Sequence, residues 1–205
     1  MTNEALARWN ERFSAPGYLF GTAPNRFLAS AKHLLRPGQR ALAVADGEGR
    51  NGVWLAQQGL NVTSVDFSPV ALAKARQLAE QSGVTIETIE ADLAKWEWPA
   101  AAYDVVVAIF IQFAPPPMRA KLFAGMKSAL KPQGLLILEG YRPQQVDYGT
   151  GGPPNRENMY TRELLEAAFT GMEILHFKEY DAAIEEGSGH KGLSALIDLI
   201  ARKGV

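Results

Sequence analysis

The segment A-L-A-V-A-D-G-E-G-R-N-G at residues 41–52, followed by N-V-T-S-V-D at residues 61–66, decides the fold of this chain. A short apolar strand leads into a turn with Gly47 and Gly49, an amphipathic helix follows, and a second apolar strand ends on Asp66. Glycines let the backbone amides of such a turn approach a ligand closely, and the N-terminus of a helix adds positive charge. An acid at the next strand end is placed to accept hydrogen bonds from a ribose diol. The pattern therefore predicts a site for a nucleoside-bearing cofactor.

Length, charge and cysteine content narrow the class of protein. With 205 residues we expect a single domain over residues 1–205 with a substantial core. The net charge of −1 gives no general attraction to nucleic acid or to a membrane surface, so we expect neither as a partner. The chain has no cysteine, which excludes disulfides and thiolate zinc sites, and we expect no metal. Without a signal-peptide core or an apolar run of about 18 residues, the sequence predicts a cytoplasmic protein, monomeric or weakly homodimeric.

Strand-like and helix-like segments alternate through most of the chain. Residues 1–36 predict a helical cap segment, with helices at 2–13 and 25–35. Apolar runs predict strands at residues 40–45, 61–66, 84–90, 104–113 and 135–140, and helices at residues 50–58, 69–82 and 115–130. This alternation specifies a parallel sheet covered by helices.

The C-terminal third has a different pattern. Residues 142–160 are rich in Gly and Pro, and because long loops are usually functional or disordered, we predict a lid there. After a helix at 161–169, residues 171–181 and 193–203 predict two strands that pair antiparallel, although the second run also fits a helix by periodicity. The predicted fold is α/β: a Rossmann-like, seven-stranded, mostly parallel sheet with an antiparallel C-terminal strand and helices on both faces.

The glycine motif alone does not decide which cofactor binds. Gly47-x-Gly49-x-x-Gly52 with Asp66 fits the dinucleotide fingerprint, but it does not separate NAD from S-adenosylmethionine. Three further features favour the latter. A helix begins directly after Asp66, with Ser68 as its cap and Pro69 at its first position. The third strand leads to Asp92, which is placed to reach an adenine amino group. L-K-P-Q-G-L-L-I-L at residues 130–138 is similar to the turn before the fifth strand of methyltransferases.

These motifs, in this order and spacing, resemble the class I S-adenosylmethionine-dependent methyltransferases from about residue 40 onward. The segments W-N-E-R-F at 9–13, G-E-G-R-N at 47–51 and A-L-I-D-L-I-A-R-K at 195–203 resemble, more narrowly, the small tellurite-resistance-like methyltransferases. The resemblance implies S-adenosyl-L-methionine as cofactor. The chain departs from the family at Ala43, where an acid normally helps to hold the methionine ammonium, and at Ala45, which replaces the first glycine. Asp46 or Glu48 is a possible substitute for that acid.

The candidate site residues follow from the motifs and the resemblance. For cofactor binding they are Asp46, Gly47, Gly49, Asp66, Phe67, Asp92 and Leu93; for the substrate they are Tyr18, Tyr141 and Arg142; and His190 is the candidate catalytic residue. Each has a simpler structural interpretation. Asp66 also fits a helix-initiating acid, Arg142 a solvated side chain and His190 an exposed loop histidine. Arg50 is expected in helix packing rather than in methyl transfer.

The acceptor is predicted by what the sequence lacks. A hard nucleophile such as an amine needs a route for proton loss, whereas a thiolate or selenide needs almost none, and no dominant base is evident. Residues 113–118, F-A-P-P-P-M, lack the acid-Pro-Pro-aromatic loop of enzymes that methylate bases. We therefore expect a small-molecule acceptor, a thiol or chalcogen nucleophile. Two alternatives stay open: a non-catalytic S-adenosylmethionine-binding or sensing domain, favoured by Ala43, and an NAD-dependent oxidoreductase, which would need a Tyr/Lys or His pair for hydride transfer.

Overall fold

Strands and helices alternate through residues 2–205, the part of the chain that the computed structural model describes. The helices are α1 (Asn3–Phe13), α2 (Arg26–Ser30), α3 (Arg50–Gln57), α4 (Pro69–Gln81), α5 (Pro116–Ala129), α6 (Gln145–Tyr148) and α7 (Arg162–Ala168), with 3₁₀ turns at Ala31–Leu34 and Arg156–Asn158. The strands are β1 (Arg40–Val44), β2 (Asn61–Asp66), β3 (Glu87–Glu90), β4 (Tyr103–Ile109), β5 (Leu130–Tyr141), β6 (Met172–Glu186) and β7 (His190–Lys203).

The seven strands form one sheet in the order β3-β2-β1-β4-β5-β7-β6. The pairs β1–β2, β2–β3 and β4–β5 are parallel, and β5–β7 is antiparallel, with Glu139 opposite Asp198. Residues 193–203 are therefore a strand, and the helix alternative for them is wrong. The predicted mostly parallel sheet with an antiparallel C-terminal strand is confirmed.

The described residues fall into two compact units. The first unit runs to Glu97 and includes Glu186–Gly189, and the second comprises Trp98–Glu185 and His190–Val205. In the first unit, α3 and α4 contact β2 and each other. Leu55 of α3 and Ala75 of α4 are fully buried, which shows that the apolar faces of both helices are buried. Burial of such side chains stabilises the unit by about 25 cal/mol for each Å² of apolar surface removed from water.

Helix α4 begins where the sequence predicts. The Ser68 hydroxyl accepts a hydrogen bond from the Ala71 backbone N–H at 3.1 Å, and Pro69 occupies the first helical position. Proline fits there because its fixed φ suits a helix and its missing N–H would have no partner in the first turn. This cap holds the end of β2 and the start of α4 in a defined turn.

The second unit differs from the sequence prediction at the end of β4. Residues 110–113 were expected to continue the strand, but β4 ends at Ile109 and Phe110 takes a left-handed conformation with φ of 54°. The predicted K-P-Q-G turn at 131–134 lies inside β5, where Gln133 has φ of 65°. The β4–β5 register shifts there, since Tyr103 is opposite Leu130 and Val105 is opposite Leu135. An irregular strand accommodates the turn without ending.

The C-terminal hairpin is longer than predicted. Strand β6 extends to Glu186 and β7 begins at His190, so only Gly187–Gly189 separate them. His190 was expected in a glycine-rich loop; it is the first residue of a strand instead. The predicted lid segment 142–160 contains α6 and the second 3₁₀ turn, and its role as a lid stays a prediction. None of the helices within residues 2–205 has the length and apolarity needed to cross a membrane.

Candidate functional site

The turn after β1 brings Gly47 and Asp66 together. The Gly47 N–H donates to Asp66 Oδ2 at 2.9 Å, and the Ser68 N–H donates to Asp66 Oδ1 at 2.9 Å. Gly47 has φ of 58° and Gly49, which caps α3, has φ of 87°. L side chains rarely adopt this left-handed region, and glycine does so without strain. Asp66 therefore fastens the glycine turn to the beginning of α4.

Burial changes the acidity of Asp66. The side chain is 4 % exposed, and its burial raises the pKa to about 6, against the opposing effect of backbone hydrogen bonds from Ser68, Gly47 and Phe67. The carboxyl group is accordingly ionised at neutral pH. A carboxylate has about four acceptor positions, and three backbone donors leave one for a hydroxyl group.

Asp46 is directed into the turn itself. Its carboxyl oxygens accept the Gly52 N–H at 3.2 Å and the Ser64 hydroxyl at 2.8 Å. Burial raises the pKa of Asp46 to about 7, and the hydrogen bonds from Ser64 and Gly52 oppose that rise. A Cβ atom on Gly52 would lie 2.4 Å from Asp46 Oδ2, so the third glycine of the motif makes room for this carboxyl. Asp46 joins α3 to β2.

Glu48 holds the segment that precedes α2. Its carboxylate pairs with Lys74 Nζ at 2.9 Å and accepts the Leu19 N–H at 2.7 Å. Lys74 Nζ also donates to the carbonyls of Ala15 and Gly17, at 2.8 and 2.7 Å. Both carboxyl oxygens of Glu48 are thus engaged, so the structure gives this acid a positioning role. Sequence reasoning considered it only as a substitute for the acid missing at Ala43.

The remaining candidates of the first unit lie at strand ends or next to Lys74. Asp92 follows β3, and its Oδ1 accepts the Ala94 N–H at 3.1 Å. Leu93 is buried, whereas Phe67, directly after Asp66, is half-buried. Tyr18 is half-buried, and its hydroxyl donates to the Lys74 carbonyl at 3.4 Å. Their assignment to cofactor or substrate remains a prediction.

In the second unit the structure brings Tyr141 and His190 together. Their ring centroids lie 5.8 Å apart at 87°, and Phe110 packs against both of them. Arg142 pairs with Asp181, whose other oxygen accepts the Tyr148 hydroxyl at 2.7 Å. The structure therefore replaces the solvated interpretation of Arg142 with an ion pair.

Sequence reasoning missed two groups of contacts around these residues. Gln112 binds the backbone of Tyr141 through both ends of its amide. Glu186 pairs with Arg50 and accepts from Asn25. No motif marks either group, because each partner lies far along the chain and its residue type is ordinary there.

Known proteins are similar to this chain in sequence. Residues 41–134 match a family model described as a methyltransferase domain. Glycine/sarcosine N-methyltransferase from Halorhodospira halochloris is 32% identical over 111 residues, which are 51% of this chain and 40% of that protein. The chain spans 40% to 61% of the length of the first curated relatives that it matches.

Solved structures share the fold over most of the chain. TehB from Haemophilus influenzae has a TM-score of 0.70 at 20% identity, covering 86% of this chain and 61% of TehB. The N-methyltransferase NodS from Bradyrhizobium japonicum WM9, in complex with S-adenosyl-L-homocysteine, has a TM-score of 0.74 at 12% identity. The match covers 98% of this chain and 99% of NodS.

The chain has the Rossmann-like fold that it shares with TehB and NodS. Residues 41–134 are similar to a methyltransferase domain, and the chain resembles TehB in fold, as the sequence predicted. The NodS structure contains S-adenosyl-L-homocysteine, the demethylated form of the predicted cofactor. The oxidoreductase alternative has no support in these comparisons.

Proposed function

We propose that this protein transfers a methyl group from S-adenosylmethionine to a small molecule whose acceptor atom is a thiol sulfur or another chalcogen. The main support for S-adenosylmethionine binding is the position of the Asp66 carboxylate. Asp66 is the last residue of β2, and its carboxylate accepts hydrogen bonds from the N–H groups of Gly47 and Ser68. This arrangement fits a ribose diol because the carboxylate is ionised at neutral pH and keeps acceptor capacity.

The residues that would hold the cofactor belong to the first unit. Asp66 would accept from one ribose hydroxyl, Gly47 and Gly49 would allow close backbone approach, and Phe67, Asp92 and Leu93 would flank the adenosine. S-adenosylmethionine supplies a methyl group on a positively charged sulfur. Asp46 keeps the turn in shape through Gly52 and Ser64, and its contact with the cofactor stays a prediction.

The acceptor side is assigned to Tyr141, Arg142 and His190. His190 would orient the acceptor or take its proton on an imidazole nitrogen, and the rings of Phe110 and Tyr141 pack against it. Aromatic surroundings suit a polarizable sulfur or selenium atom, since such atoms make favourable contacts with ring edges. An acceptor that ionises near neutral pH needs only modest help with proton loss.

The cofactor assignment is tested by calorimetric titration with S-adenosyl-L-homocysteine. Asp66→Asn removes the charge and keeps the shape of the side chain, and hydrogen bonds to charged groups contribute roughly 1.5–3 kcal/mol. We therefore expect the affinity to fall about tenfold or more. Glu80→Gln, which removes an exposed carboxylate near the C-terminal end of α4, serves as the control. Unchanged affinity in Asp66→Asn would remove Asp66 from the site, and preferential binding of NADH would overturn the cofactor.

The acceptor is tested with a panel of thiols, selenols, amines, a protein mixture and RNA. We expect turnover with a thiol or chalcogen compound, reduced more in kcat than in cofactor affinity by His190→Ala. Tight cofactor binding without turnover on any acceptor would favour the non-catalytic sensing alternative. The expectations of a cytoplasmic location, a monomer or weak homodimer, and no nucleic-acid or membrane partner stay predictions.

A further inference from the structure

Phe110 has a backbone conformation that a bulky side chain rarely adopts. It follows the last residue of β4 with φ of 54°, in the left-handed region. A large L side chain in this region is an outlier that persists only where the surroundings enforce it, and such residues concentrate at functional sites. The conformation also places the Phe110 ring outside the regular alternation of the strand.

The chain on both sides of Phe110 is fastened to β5. The Phe110 N–H donates to the Glu139 carbonyl at 2.9 Å. Two residues later, the Gln112 side-chain amide donates to the Tyr141 carbonyl at 2.7 Å and accepts the Tyr141 N–H at 2.6 Å. Because Gln112 is buried, water does not compete for these bonds. The strained residue is therefore held at a fixed distance from Tyr141.

The Phe110 ring contacts the His190 imidazole. Phe110 stacks on Tyr141 with centroids 4.6 Å apart and 28° between the planes, and it meets the His190 ring edge to face at 4.5 Å and 70°. Tyr141 meets the same imidazole at 5.8 Å and 87°. Edge-to-face aromatic pairs have a preferred geometry, so two of them restrict the orientation of one ring more than either does alone.

We propose that Phe110 is a positioning residue, which orients the His190 imidazole through its ring while Gln112 keeps Tyr141 in register. The catalytic consequence rests on the proposed role of His190, but the orientation itself does not. Phe110 needs no contact with substrate or cofactor for this role. Its identity matters because an aliphatic side chain of similar volume fills the space without directing the imidazole.

The orientation is measured by nuclear Overhauser effects between the His190 imidazole protons and the Tyr141 ring protons, which depend on how the two rings face each other. The chain has three histidines, so His190 is assigned by the signals that His190→Ala removes. We expect Phe110→Leu to weaken these effects and Phe110→Tyr to leave them near their wild-type strength. Phe110→Met replaces the leucine variant if the latter does not fold. Effects of wild-type strength in the aliphatic variant would overturn the proposal.

A double-mutant cycle tests the consequence once an acceptor is known. A misplaced catalytic group costs about 10- to 100-fold in rate, so Phe110→Leu should lower kcat by that factor, with a smaller change in KM. The same substitution in a His190→Ala background should lower kcat no further. Additive losses would show a structural role and overturn the positioning role. If His190→Ala leaves kcat unchanged, the function proposed for His190 fails, and the NMR result alone decides the orientation.

Discussion

Arg50 and Glu186 form a buried ion pair between positions 136 residues apart in the sequence. Arg50 Nη2 donates to Glu186 Oε2 at 2.6 Å, and the two side chains are 8% and 6% exposed. Asn25 Nδ2 donates to the other carboxyl oxygen at 3.1 Å. The first residue of α3 is thus joined to the residue before the Gly187–Gly189 turn. The same turn reaches the segment before α2, since the Gly189 N–H donates to the Leu19 carbonyl at 3.0 Å.

Removing one partner of this ion pair should lower the free energy of unfolding more than removing both partners. Glu186→Leu leaves a buried guanidinium without its counter-charge, and such losses are about 3–5 kcal/mol. The double variant Arg50→Met/Glu186→Leu should be closer to wild type in its free energy of unfolding, measured by urea titration. For comparison, Asp147→Ala breaks the exposed pair with Arg156 and should cost less than about 1 kcal/mol. A double variant as unstable as the sum of its single changes would contradict this prediction.

Gly49 has two independent reasons to be glycine, and substitutions can separate them. Its φ is 87°, and an added Cβ would lie 2.7 Å from the Cβ of Ala75. Gly49→Ala should therefore lower the unfolding free energy by more than Gly83→Ala, since Gly83 has φ of 68° but no atom within 4 Å of its Cβ position. The Gly83 variant should lose roughly 1 kcal/mol, which is the conformational effect alone. Adding Ala75→Gly should restore part of the Gly49→Ala loss, and equal losses in the Gly49 and Gly83 variants would exclude the steric effect.

The raised pKa of the buried Asp46 carboxyl group makes stability depend on pH. Burial raises the pKa of Asp46 to about 7 from an ordinary value of 3.8. Between these values the folded protein holds a proton that the unfolded chain has lost, so the unfolding free energy should decrease as the pH rises from about 4 to 7. Each unit of difference contributes about 1.4 kcal/mol. Asp46→Asn should flatten this slope in urea titrations at several pH values, and Asp147→Asn should leave it as in the wild type. A slope that Asp46→Asn does not change would show that other groups cause it.

Local sequence patterns predicted the order of elements, but not the points at which distant residues intervene. The Ser68 cap and the acid at the end of β2 were predictable because a helix start and a strand end are signalled by neighbouring residues. The end of β4 was not, since residues 104–113 are almost continuously apolar and only the backbone of Phe110 interrupts the strand. The hydrogen bonds between Gln112 and Tyr141, which hold the chain next to Phe110, join residues 29 positions apart.

The candidate site, too, was predictable only in part. The contact between Gly47 and Asp66 follows from a known strand-turn-helix pattern. The position of His190 did not follow, because E-E-G-S-G-H-K at residues 185–191 is polar and glycine-rich and predicts a loop. Glu186 is instead the last residue of β6 and pairs with Arg50, a residue far away in the sequence. Tertiary contacts of this kind override local preference without a sequence signal.

The predicted lid at 142–160 is tested by hydrogen exchange in the free and ligand-bound protein. Gly149, Gly151 and Gly152 all have positive φ, whereas the start of the segment is anchored by Gln145. The Gln145 amide donates to the Thr150 hydroxyl and the Gly151 carbonyl, at 3.0 and 3.2 Å, and accepts the Ala195 N–H at 2.9 Å.

We expect the backbone amides of residues 149–155 to exchange faster than those of α7 in the free protein and to slow when S-adenosyl-L-homocysteine is bound, because a cover over the substrate side becomes ordered when it closes. Gln145→Ala removes the anchor and should raise exchange in the free protein further, while leaving α7 unchanged. Equal protection of residues 149–155 with and without the ligand, at ligand concentrations that saturate the protein, would mean that this segment is a fixed wall rather than a lid.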